Sequence, residues 1–227
     1  MSATRTTKSG ADSLGYDMHK AVAFLHAADP RLAAVIDLAG PCTLAPDPLH
    51  DLFSYLVRSI IFQQLNGTAA RTIHHRFLDL WPYDGHPTPE HILEADADFL
   101  RTAGISGNKA KALHSLADHM VRGVVPTVEQ AHQLPDDELV KLLTDVRGIG
   151  PWTVHMLLMF RLGRPDVLPT GDFGVCAGYA RTYGLDKPPT PTELKKATEH
   201  WKPFRTVASW YMWRAVDLPK ERAAELR

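Results

Sequence analysis

The chain has 227 residues, with 25 Lys and Arg against 26 Asp and Glu, giving a formal net charge of −1 when histidine is neutral. That length supports a sizeable core in one compact domain or two lobes, and its two cysteines exclude a disulfide framework. No apolar run reaches membrane-spanning length, and the near-neutral balance means that any contact with a polyanion must rest on local rather than global charge.

The N-terminal stretch is rich in Ser, Thr and Lys and lacks an apolar segment of the signal-peptide kind, so residues 1–18 are expected to form a mobile arm on an intracellular protein. Beyond it, apolar residues recur at helical spacing between Pro and Gly breaks, with no sustained two-residue alternation, which predicts an all-α chain without strands. Helices are expected over 19–28, 30–39, 48–65, 67–80, 89–95, 97–103, 107–122, 127–133, 136–144, 151–162, 172–183, 191–199 and 203–216.

Three stretches along this series stand out. Gln63-Gln64-Leu65-Asn66-Gly67 ends a strongly apolar helix with amide side chains, which by itself reads as a surface turn between helices. Ala103-Gly104-Ile105-Ser106-Gly107 is a glycine turn into a helix carrying Lys109 and Lys111, which could grip a phosphate. The third is Arg147-Gly148-Ile149-Gly150-Pro151, where two glycines permit positive φ angles and Pro151 has the fixed φ favoured at the first helical position, so a tight hairpin joins two helices.

Amides at such a hairpin and at the start of the following helix can hold a phosphate without reading a base, helped by the positive end of the helix dipole. A bare G-x-G would be no more than a closed helical hairpin. Here Val146 and Arg147 precede it, Ile149 separates the glycines, and an apolar helix follows from Trp152. Twenty-two residues past Gly150 stands Asp172. A helix of about a dozen residues runs roughly 18 Å, and the Pro- and Gly-punctuated loop 163–171 can return the chain. As the residue preceding the next helix, Asp172 is also a natural N-cap, and a cap holds its carboxylate rigidly. Asp166 is the nearest other carboxylate, between Pro165 and Val167, where a turn role is expected.

These blocks occur in order together with Gly40-Pro41-Cys42-Thr43-Leu44, Ile60-Ile61-Phe62-Gln63-Gln64-Leu65, Trp201-Lys202-Pro203-Phe204-Arg205 and Trp210-Tyr211-Met212-Trp213. Over about residues 19–218 the chain resembles the helix-hairpin-helix DNA glycosylases of the 3-methyladenine, or alkylbase, type. The resemblance implies an all-α, two-lobed fold with the active-site cleft between lobes, one built from 19–72 and 173–227 and the other, carrying the hairpin, from 73–172. It implies that Asp172 is catalytic and that Gln64 and Leu65 form the DNA wedge; Trp152, Met156, Phe204, Trp210 and Trp213 are the candidate pocket walls, of which Trp210 or Trp213 is expected to be core. Phe204 stands where some relatives have a lesion-stacking tryptophan, and Met156 where they have a tyrosine.

Phosphate contacts are expected from Arg147, Gly148, Ile149, Gly150 and Lys109, and further positive charge from Arg101, Lys111, Arg161 and Arg164. A structural Na+ or K+ is expected on the backbone carbonyls of Thr144, Val146 and Ile149. Bifunctional members of the superfamily carry a lysine two positions after the second hairpin glycine. This chain has Trp152 there, which implies a monofunctional enzyme that uses water, and Cys42 and Cys176 are too few for a four-cysteine iron–sulfur cluster. The histidines show no metal-ligand spacing: His74 and His75 are adjacent, and His114 and His119 are five apart.

The function implied is removal of alkylated, cationic bases from double-stranded DNA during base excision repair, by a monomer without membrane association, in the cytoplasm or nucleoid of a bacterium or the nucleus of a eukaryote. Two alternatives stay open on the sequence: a non-catalytic helix-hairpin-helix DNA-binding module, and a glycosylase for oxidised or mispaired bases.

Overall fold

The computed structural model describes residues 14–47, 51–81, 87–219 and 222. Among them there is no strand, and thirteen α-helices follow one another: α1 Met18–Ala28, α2 Pro30–Ala39, α3 Leu52–Phe62, α4 Gly67–Leu78, α5 Pro89–Glu94, α6 Ala97–Thr102, α7 Gly107–Val121, α8 Val128–Gln133, α9 Asp136–Leu143, α10 Pro151–Met156, α11 Phe173–Tyr183, α12 Pro191–Ala197 and α13 Arg205–Asp217. The starts are written in the sequence. Side chains of Asp17, Asp29, Asp51, Asn66, Thr88, Asp96, Ser106, Thr127, Asp172 and Thr190 accept hydrogen bonds from first-turn amides of α1 to α8, α11 and α12.

The helices fall into two compact units, one comprising 1–47 and 158–227 and the other 48–157. The divisions lie at 47/48 and 157/158, not at 72/73 and 172/173 as read from the sequence. The physical reason for the first is that α3 packs on α4 and α7 and so belongs with the middle of the chain. The expected arm over 1–18 falls for residues 1–13 outside the described residues; Gly15 is fixed by an N–H bond to the Gly163 carbonyl at 3.1 Å, and Tyr16 packs near Phe204. Positions 48–50, the expected start of α3, also lie outside the described residues.

In the unit built from both chain ends, α13 packs against α11, α2 and α1 around a core that includes Leu25, Leu32, Val175, Trp201, Val207 and Tyr211. Asp29 ties this unit together. Its Oδ1 accepts the Arg31 and Leu32 amides at 3.0 and 3.1 Å, while Oδ2 accepts the Tyr183 hydroxyl and the Trp201 indole N–H, the latter at 2.8 Å, with His200 Nε2 at 2.7 Å. One buried carboxylate thus joins α2, α11 and the short turn Glu199–Trp201.

Two glycines let α11 and α13 approach. A Cβ on Gly178 would lie 2.0 Å from the Met212 carbonyl oxygen, and a Cβ on Gly174, one turn earlier, 2.7 Å from Trp213 Cδ1. Nothing larger than glycine fits this contact.

The unit from the middle of the chain has α7 as its spine, with α3, α5 and α6 packed on it, and α9 against α10. Ile60, Ile61, Phe77, Leu113, Leu116, Leu139, Leu143 and Val154 are buried there. Two departures from the expected helices matter. The helix read as continuing to residue 65 stops at Phe62, because Gln63 turns into an extended conformation and Gln64 has φ 57. The helix read as 151–162 is regular only to Met156, and Leu157–Arg161 winds as a π-helix.

Candidate active site and nucleic-acid interface

The hairpin is built on α7. Val146 and Ile149 are buried at its base, Ile149 N–H donates to the Val146 carbonyl at 3.0 Å, and the Arg147 amide donates to Ser115 Oγ at 3.1 Å. Only one of the two glycines uses its special freedom. Gly148 has φ +81, whereas Gly150 is extended at φ −103 and serves as the N-cap of α10, with no side chain to close the helix end. The expectation of positive φ at both is corrected accordingly. A Cβ on Gly148 would meet Ala112 Cβ at 3.0 Å, while one on Gly150 would meet nothing within 4 Å.

The turn after α3 is bound to the same hairpin: Gln63 Nε2 donates to the Gly148 carbonyl at 2.8 Å. Gln64, the following residue, is exposed and is the one non-glycine residue with positive φ among the described residues. Leu65, read with it as a wedge, is half-buried. Lys109, expected at a phosphate, instead donates from its ammonium to the Ile61 carbonyl at 2.7 Å, and burial lowers its pKa. Thr144 ends α9 with its hydroxyl donating to the Val140 carbonyl at 2.7 Å. Trp152 is 49% exposed in the first turn of α10, and Met156, at the end of α10, is half-buried.

Asp172 lies in the other unit, as the N-cap of α11, and is only 8% exposed. Its Oδ1 accepts the Val175 amide and the Trp213 indole N–H, both at 2.8 Å. The carboxylate is thereby held from two directions, by the backbone of its own helix and by a side chain of α13. Trp213 is oriented in turn by stacking on Phe160, ring centroids 5.9 Å apart and planes 18° from parallel. The next residue, Phe173, is 81% exposed. Sequence reading missed Phe173 as a site residue and took Trp213 as a pocket wall or core side chain rather than as a donor to Asp172; the Gly174-x-x-x-Gly178 spacing on α11 is the signal that could have brought α13 against Asp172.

Asp166, expected in a turn role, is committed to Arg205, with Oδ1–Nε and Oδ2–Nη2 distances of 2.7 and 2.8 Å, so this fork fixes a loop to α13. Other expectations are corrected. Trp210, read as a pocket wall, belongs to the core at 9% exposure, with the Arg214 guanidinium 5.2 Å from its ring centre. Phe204 is half-buried with its ring edge-on to Phe24. Arg161 is 1% exposed and faces no ligand from the surface, and Arg101 is paired with Asp98 at 2.7 Å. Among the described residues no three His, Cys, Asp or Glu converge as metal ligands, and no helix is long and apolar enough to cross a membrane.

Residues 57–203 match the HhH-GPD superfamily of base excision DNA repair proteins. The chain is 40% identical over 166 residues, 73% of each chain, to DNA-3-methyladenine glycosylase 1 of Schizosaccharomyces pombe. It is 30% identical over 206 residues, 90% of this chain and 97% of the relative, to the alkylbase DNA glycosidase-like protein mag2 of the same yeast. Among solved structures, an S. pombe 3-methyladenine DNA glycosylase in complex with abasic DNA superposes with a TM-score of 0.77 at 36% identity, covering 88% of this chain and 97% of that one. A DNA-3-methyladenine glycosidase from Bacillus halodurans gives 0.76 at 32% identity, covering 88% and 89%. The chain belongs to the HhH-GPD superfamily.

Proposed function

We propose that this protein is a DNA-3-methyladenine glycosylase of base excision repair, which turns alkylated, cationic bases out of double-stranded DNA and hydrolyses the N-glycosidic bond. The observation that carries the reading is Asp172, a buried carboxylate fixed by two donors at the start of α11, in a chain 40% identical to a named glycosylase of this activity. Breaking the bond builds positive charge on the sugar. A carboxylate that is already oriented stabilises that charge without reorganising, and it accepts the proton of the attacking water. A purine alkylated at a ring nitrogen leaves as a neutral base, so no strong general acid is required. The commitment of Asp166 to Arg205 agrees with a site that works with one carboxylate.

Gly148, Gly150 and the first turn of α10 take a DNA phosphate, since the Arg147 and Ile149 amides are used inside the unit. The exposed side chain of Arg147 adds charge there. Hard carbonyl oxygens of Thr144, Val146 and Ile149 suit Na+ or K+, which would supply one more positive charge toward that phosphate. Gln64, with Leu65 beside it, fills the gap left by the flipped nucleotide; non-glycine residues held at positive φ cluster at functional sites, which supports this role. The face of Trp152, with Met156, recognises the cationic base, an aromatic face contributing about 0.5 to 2 kcal/mol. With Trp152 where a lyase would carry lysine, the reaction stops at an abasic site. Such an enzyme works where DNA is kept, in the nucleoid or nucleus.

The test is base release from duplexes carrying 3-methyladenine, 7-methylguanine, 1-methyladenine, hypoxanthine or 8-oxoguanine, with borohydride present. Release of the methylated purines with an intact abasic strand and no trapped adduct is expected. Efficient trapping overturns the monofunctional reading, and preferential release of 8-oxoguanine overturns the alkylbase one.

A further inference from the structure

Helix α7 carries three contacts at intervals of three residues, and therefore along one face. Lys109 Nζ donates to the Ile61 carbonyl at 2.7 Å, at the end of α3. Ala112 lies against Gly148, so close that a Cβ there would sit 3.0 Å away. Ser115 Oγ accepts the Arg147 amide at 3.1 Å. The first contact fixes the turn after α3, and the other two fix the hairpin. Gln63 then ties turn and hairpin directly, from residues 85 apart in the chain.

We propose that Lys109 and Gln63 are positioning residues that lock the turn presenting Gln64 to the Arg147–Gly150 hairpin, so that phosphate binding and gap filling act as one rigid element. The inference rests on the glycosylase reading above. The last carbonyls of a helix have no partner within it and carry partial negative charge, so the ammonium satisfies Ile61 where α3 must stop. Without that clamp and the Gln63 bond, Gln64 has no reason to keep a conformation that L-residues avoid. With them, gripping a phosphate at the hairpin fixes where the Gln64 side chain enters the duplex.

The experiment compares Lys109→Met, Lys109→Arg and Gln63→Leu with the parent in the full chain. Two quantities are measured: single-turnover release of 7-methylguanine at saturating enzyme, and affinity for undamaged duplex as a function of salt. Lys109→Met and Gln63→Leu are expected to slow release on the order of 10- to 100-fold, the usual cost of misplacing a group near the reacting centre. Undamaged-duplex affinity and its salt slope should stay unchanged, and Lys109→Arg, which keeps a donor, should recover most of the rate. A purely structural role would lower melting temperature without changing release by the folded enzyme at saturation. If Lys109→Met instead weakens all duplexes and reduces the salt slope by about one, Lys109 is a phosphate contact and the proposal is wrong. Parental release rates in both variants also overturn it. Gln63 lies outside the core, so Gln63→Leu carries the test even if Lys109→Met does not fold. Absence of release by the parent would count against the glycosylase reading itself.

Discussion

Trp213 and Asp172 are joined by an indole N–H to carboxylate hydrogen bond of 2.8 Å, on the same Oδ1 that caps α11. The bond exists because Gly174 leaves room for the indole, whose Cδ1 would be 2.7 Å from a Cβ at that position.

Trp213→Phe keeps a ring against Phe160 and removes the donor. Hydrogen bonds to charged groups are worth about 1.5 to 3 kcal/mol, so single-turnover excision should fall at least about 10-fold while duplex affinity is retained. Gly174→Ala should produce a similar loss by displacing the indole, with a drop in stability of about 1 to 3 kcal/mol from overpacking. Kinetics and thermal melts of the two variants check this; full activity in Trp213→Phe would reduce the bond to a packing detail.

At the hairpin the two glycines should respond differently. Gly148→Val meets both a positive φ and Ala112, so it should lower the melting temperature as well as DNA affinity. Gly150→Val has an extended backbone and open space, so the fold should survive while affinity for damaged and undamaged duplexes drops alike, because a phosphate contact carries no sequence information. Binding titrations of folded Gly150→Val decide the point, and parental affinity would remove the phosphate role.

Much of the fold was legible because the caps are local. Asp29, Asn66, Ser106 and Thr190 each mark a helix start within their own few residues. The hairpin was legible from its two glycines and Pro151, and Asp172 as the cap of α11 from its place just before the helix. What escaped depends on contacts distant in sequence. Trp213 reaches Asp172 across 41 residues, and Lys109 turns to Ile61 across 48, so neither can be read from a local pattern. The burial of Arg161 and the early stop at Phe62 are likewise imposed by packing, against a local pattern that favoured a surface cation and a longer helix. The unit boundaries were misjudged because they follow which helices pack together.

Asp29 makes stability depend on acid. Burial by itself raises its carboxyl, but hydrogen bonds from Tyr183, Trp201, His200 and the Leu32 amide outweigh burial and hold it at about 2, against an ordinary 3.8. A folded value below the unfolded one stabilises the protein above pH of about 4, and that contribution disappears as pH falls toward 2. Asp29→Asn should therefore cost about 2 kcal/mol at pH 7, a penalty that shrinks below pH of about 4. Urea unfolding of both proteins across this range checks it; a penalty independent of pH would mean that shape rather than charge matters at this position.

The central claim is tested most directly by Asp172→Asn, which keeps the size of the side chain and most of its capping ability while removing the negative charge. The measurement is single-turnover release of 3-methyladenine alongside affinity for a duplex containing an abasic-site analogue. Losing one preorganised electrostatic partner typically costs on the order of 10² to 10³ in rate, so release should collapse to the slow departure of a cationic base while analogue affinity changes only a few-fold. Release at the parental rate would make Asp172 a helix cap and nothing more, and would contradict the mechanism.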